Sequence, residues 1–132
     1  MRNADEYKEL LAAAEAAAKN AYKPYLPTSN GSALLTSDGE ILIGFSIQTP
    51  NVASSVCAGK AVVIHALLAG HRDFRAIAIA GDGADSDYLC GDCRQFLAEF
   101  GLDIDIISEI DSSVTLRLRE LFPKVFHLPA VK

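Results

Sequence analysis

Cys57, Cys90 and Cys93 are the only cysteines in the chain, and their type and spacing point to a metal centre. Cys90 and Cys93 stand three apart in LCGDCRQ, at the expected start of one helix, and Cys57 in VCAGK opens another. Two helix N-termini can therefore aim three sulfurs at one spot, where the positive end of each helix dipole favours the thiolate that a metal needs. Three protein ligands on zinc leave a fourth position open, the mark of a catalytic rather than a structural site. Free cysteines are also commonly plain buried apolar groups, and a lone CxxC says little. The third cysteine, at its own helix start, is what favours zinc. A closed site of three cysteines and one histidine, using His71 or His127, ranks last because no histidine stands near the cysteines in sequence.

The elements that must position these thiols follow from periodicity. Apolar positions recur at helical spacing from Asp5 to Tyr22, with acids early and Lys19 and Lys23 late, and Pro24 ends the run. Ser32–Thr36 and Glu40–Ile47 are β-type runs around the turn Ser37-Asp38-Gly39, which predicts a hairpin. Cys57–Ala69 is apolar almost all round and stops at Gly70, as a buried helix with a glycine cap would. Arg75–Ala80 reads as a buried strand, Gly81–Leu89 as a loop, Gly91–Phe100 as a helix closed by Gly101, and Asp103–Ile107 as the next strand. Val114–Leu116 and Arg117–Phe122 follow as a last strand and helical turn. The order αββαβαββα implies a layered α/β domain.

A chain of 132 residues is expected to fold as one domain, residues 1–132, burying about two-thirds of the surface it exposes when unfolded. Its net charge of −5, with no Lys/Arg cluster, argues against nucleic acid as a partner. No apolar run reaches the roughly eighteen residues a membrane span requires, and the N-terminal stretch alternates charge with alanine instead of resembling a leader. An odd cysteine count in a chain with core enough argues for reduced thiols. The expectation is a soluble, cytoplasmic protein.

AYKPY (Ala21–Tyr25), GSALLTSDGEILIG (Gly31–Gly44), VCAGK (Val56–Lys60), FRAIAIA (Phe74–Ala80), CGDCRQFLAEF (Cys90–Phe100) and RELFPKVF (Arg119–Phe126) together resemble the cytidine deaminase family, in its small tetrameric nucleoside type. The resemblance runs in order over nearly the whole chain. It implies a three-layer fold with a five-stranded mixed sheet between helices, one zinc on Cys57, Cys90 and Cys93, a small-molecule ligand, and a homotetramer in which Phe126 reaches a neighbouring subunit's pocket.

The same resemblance exposes departures. Deaminases of this kind hydrolyse the base at zinc while a glutamate that is not a ligand carries protons. The family pattern is Cys-Ala-Glu, and Gly59 occupies the glutamate's place. One general acid–base group is typically worth about 10²–10⁴-fold. Three thiolates make zinc a poorer Lewis acid than imidazoles would, and Lys60 stands where an arginine commonly offsets their charge. Of the residues that could replace the acid, His65 is about 12 Å along the helix and His71 lies beyond its end. Asp92, Asp85 and Asp87 are nearer in sequence, though Asp92 reads more simply as a first-turn acid favoured by the dipole.

The ligand positions also differ. The family grips ribose with an asparagine and a glutamate two apart, where this chain has Ser46 and Gln48. Thr28 replaces a phenylalanine expected against the pyrimidine, Val52 a pocket tyrosine, Pro50 an alanine and Leu89 a proline. Several separate contacts change at once, as in a diverged homologue. The first reading is a zinc-binding member with cytidine deamination lost or strongly reduced and a ligand-binding or regulatory role. The rival is an active aminohydrolase, on cytidine or another nucleoside- or base-like substrate, with Asp92, a loop acid or the substrate moving protons.

Overall fold

The alternation along FRAIAIA sets the architecture. In the computed structural model, which describes residues 4–83 and 87–130, this run forms the central strand β3 (Phe74–Gly81) of a five-stranded sheet. β1 (Asn30–Thr36) lies antiparallel on one side of it and carries β2 (Ile41–Phe45) as an antiparallel edge. On the other side β4 (Asp105–Ser108) runs parallel to β3, and β5 (Thr115–Arg117) closes that edge antiparallel. The sheet is therefore mixed, as expected.

Successive side chains of a strand point to opposite faces, and the two faces here differ in size. Ile77 and Ile79 join Leu34 and Ile106 in a core with Val62, Val63 and Leu97 from α2 (Ala58–Leu68) and α3 (Gly91–Ala98). Ala76, Ala78 and Ala80 face the other way, against Leu10, Leu11 and Ala14 of α1 (Ala4–Ala18). Small residues on both partners let α1 settle close to the sheet. At Gly31 an added Cβ would come 2.2 Å from the Ala14 carbonyl oxygen, far inside contact distance, so the alanine-rich sequence of α1 is a packing requirement. One helix on one face and two on the other make three layers, with a short α4 (Leu118–Leu121) beside β5.

The hairpin turn and the α2 terminus match expectation: Gly39 and Gly70 hold φ of +93° and +94°. The first helix does not. It ends at Ala18 instead of Tyr22, because the Tyr22 backbone is recruited elsewhere: its N–H donates to the Ser46 carbonyl at 3.1 Å, and the Gln48 N–H donates to the Tyr22 carbonyl at 2.9 Å. Ile47 likewise leaves β2 and bridges to Val56. The other boundaries move by two residues or fewer, within the fraying of element ends. α2 buries Ala58, Gly59, Val62, Val63 and Ala66 but leaves Ile64 and Leu68 exposed, Leu68 by 83%. No described helix is long and apolar enough to cross a membrane.

Candidate functional site

Cys57 and Cys90 are the N-cap residues of α2 and α3, both in extended conformation, and Cys93 lies in the first turn of α3. Neither cap thiol bonds to its own helix end. The three sulfurs all lie within 4.8 Å of one another, and those of Cys57 and Cys90 are 3.6 Å apart. Sulfurs on a tetrahedral zinc with Zn–S of about 2.3 Å stand about 3.8 Å apart, so both the spacing and the all-sulfur donor set fit zinc.

Three supports hold the thiols in register. Ser32 Oγ, in β1, donates to the Ala58 carbonyl at 2.7 Å and ties the start of α2 to the sheet. Arg94 donates from Nε to the Tyr88 carbonyl at 3.1 Å and from Nη1 to the Leu121 carbonyl at 3.2 Å, bracing the segment that leads into Cys90. Leu89, immediately before Cys90, is buried and holds φ of +72°. That left-handed conformation costs an ordinary residue about 1–2 kcal/mol and is closed to proline, whose ring fixes φ near −65°.

Around the thiols, Lys60 Nζ pairs with Asp92 Oδ2 at 3.0 Å, joining α2 to α3, and lies 5.1 Å from the centre of the Phe96 ring. The Asp92 bond, with smaller contributions from Cys93 and Cys57, raises the Lys60 amine above its usual 10.5. Asp92 is thus engaged with Lys60, has its side chain 67% exposed, and is outside the thiol cluster. Gly59 is buried in the first turn of α2. Among the described residues no carboxylate or histidine joins the three sulfurs. The Nδ1 of His65 lies 2.8 Å from the Ile43 carbonyl oxygen, His71 faces Glu40, and His127 is exposed near the C-terminal end. Asp87 is exposed, and Asp85 lies outside the described residues.

Beside Cys57 opens a cavity of about 190 Å³, which brings Thr28, Ser46 and Gln48 together with the first thiol. Tyr25, Leu26, Ile47, Val52 and Val56 are its apolar lining. Phe126 is not among the residues lining the cavity of its own chain: it is 66% exposed, and its backbone carbonyl accepts from Gln95 Nε2 at 3.2 Å. The polar groups at positions 46 and 48 are turned inward on the chain. Ser46 Oγ accepts the Asn30 N–H at 3.0 Å. Gln48 Oε1 accepts the N–H groups of Tyr25 and Leu26 at 3.1 and 3.0 Å, while Nε2 donates to the carbonyls of Leu26 and Thr28 at 3.1 and 2.9 Å.

Sequence reasoning missed Asn30 at the cavity wall and the cluster of Asp38, Glu40 and His71 at the β1–β2 turn, the other end of β1 from the cavity. There His71 Nε2 lies 2.7 Å from Glu40 Oε2 and Nδ1 3.8 Å from Asp38 Oδ1. His71 read as a helix-end residue; only the hairpin brings the two acids to it.

No family model matches the chain. A probable cytidine deaminase of Dictyostelium discoideum is 33% identical over 106 residues, 80% of this chain and 71% of that protein. The cytidine deaminase of Sporosarcina psychrophila is 35% identical over 95 residues, 72% of this chain and 70% of its own. Among solved structures, the crystal structure of cytidine deaminase from Burkholderia pseudomallei superposes with a TM-score of 0.82 at 31% identity, covering 90% of this chain and 98% of that one.

Proposed function

Because this chain belongs to the cytidine deaminase family, we propose that it is a zinc-binding member whose deamination of cytidine is lost or strongly reduced, and which serves a ligand-binding or regulatory role. The observation that carries this reading is the pairing of an intact thiol triad with Gly59, a residue with no side chain, two positions after Cys57. In this reading Cys57, Cys90 and Cys93 hold the zinc, which would supply a Lewis-acidic open position. Among the described residues no carboxylate or histidine joins the three sulfurs to carry protons between water, ring and leaving amine. Asp92, the low-ranked substitute, is bonded to Lys60. Thr28, Ser46, Gln48 and, from a neighbouring subunit, Phe126 are the proposed walls of the ligand site, Gln48 as a wall whose polar groups are held by the backbone.

The proposed assembly is a homotetramer, supported by the uncovered Ile64 and Leu68 on α2 and by the exposed Phe126. A reduced, cytoplasmic setting suits three thiols that must stay unoxidised to bind metal. Elemental analysis of the purified protein tests the reading. One zinc per chain is expected, lost on the double substitution Cys90→Ser/Cys93→Ser; zinc that survives it would sink the assignment.

A further inference from the structure

Gln48 has no hydrogen-bonding capacity left for a ligand. Its carbonyl oxygen has two lone pairs and its amide two protons, and all four are matched to the backbone of Tyr25, Leu26 and Thr28. The amide orientation follows from these partners, since the reverse would set NH₂ against two N–H groups. Ser46 Oγ is likewise drawn to the Asn30 N–H. Together with the backbone bonds that bind Tyr22 to Ser46 and Gln48, these contacts stitch the Tyr22–Thr28 segment against the cavity.

We propose that Gln48 is a specificity residue that excludes nucleosides, so that the cavity beside Cys57 takes a compact, uncharged heteroaromatic base with no sugar attached. The proposal rests on the ligand-binding reading above and deepens it. Tyr25, Ile47 and Val52 offer apolar surface to a flat ring, and Thr28 is among the polar residues that line the cavity with them. A sugar brings hydroxyls that must leave water, and Gln48, with all four of its hydrogen-bonding sites taken by the backbone, can receive none of them. A ligand whose polar groups find no partner on binding is selected against. Glutamate at position 48 would keep the two acceptor contacts but set a carboxylate against the carbonyls of Leu26 and Thr28, undoing the clamp.

The test is a titration of zinc-loaded, ¹⁵N-labelled protein with cytosine, cytidine and ribose, following backbone amides at Thr28, Val52 and Gly83, with ammonia measured in the same samples. Saturable shifts with cytosine are expected at a concentration at least about tenfold lower than with cytidine, with no shifts from ribose. Gln48→Glu should erase that preference. In the unmodified protein the Tyr25 and Leu26 amides should be protected from hydrogen exchange, a check that does not depend on the variant folding. Cytidine binding as tightly as cytosine, no saturable binding of cytosine, or unprotected Tyr25 and Leu26 amides would overturn the proposal. If no ammonia is released in those cases, the reading of lost deamination stands; ammonia release from cytidine at enzymatic rates would overturn that reading instead.

Discussion

The ammonium of Lys60 sits 3.0 Å from the carboxylate of Asp92 and so spans the two helices that present the thiols. In the proposed reading this pair is what keeps Asp92, the acid closest in sequence to the thiols, from serving as a proton carrier. Asp92→Asn should leave zinc stoichiometry unchanged and lower stability by only about 0.2–1 kcal/mol, the range for exposed pairs. Lys60 is raised in the folded chain, so its contribution is complete below the unfolded value of 10.5 and disappears as pH rises through the folded one. NMR titration of the Lys60 side chain should therefore show a lower midpoint in Asp92→Asn. An unchanged midpoint would mean that the pair does not form in solution.

A proline at position 89 would conflict with the backbone that delivers Cys90. Leu89 holds φ of +72° and is buried, and proline permits neither that conformation nor the same packing. Leu89→Pro should cost more than about 1 kcal/mol in chemical denaturation, as proline does where φ is incompatible, and weaken zinc retention. A variant as stable as the parent, with full zinc, would show that this segment has another conformation in solution.

Light scattering at micromolar concentration should give four times the chain mass of 14.1 kDa. The apolar surface of Ile64, Leu68 and Phe126 is the basis of that expectation, and Leu68→Glu should shift the protein toward smaller species. A monomer would remove the proposed reach of Phe126 into a neighbouring site.

The thiol triad was legible in the sequence because it depends on local structure: two helix starts, each set by its own apolar run, carry the sulfurs. The sheet was legible for the same reason, in the alternation of Leu34 and Leu35 and of the isoleucines and alanines of β3. What was not legible depends on partners far apart in the chain. Tyr22 continues a helical pattern, yet its backbone pairs with Ser46 and Gln48. Gln48 read as a weakened sugar contact; its four bonds to Tyr25, Leu26 and Thr28 show a clamp. The positive φ of Leu89 has no signature, since leucine is rare in that region.

We propose that the thiol site remains while position 59, a glycine, supplies no proton carrier. Restoring it by Gly59→Glu alone should not recover deamination, because Gln48 and Ser46 remain turned away from a nucleoside and misplacing a reactant by about 1 Å can cost on the order of 100-fold. The most direct measurement is ammonia release from cytidine by the unmodified, zinc-loaded protein. We predict a rate at least about 100-fold below the usual enzymatic range of about 1–10³ s⁻¹. Release within that range, abolished by Cys57→Ala, would contradict the account.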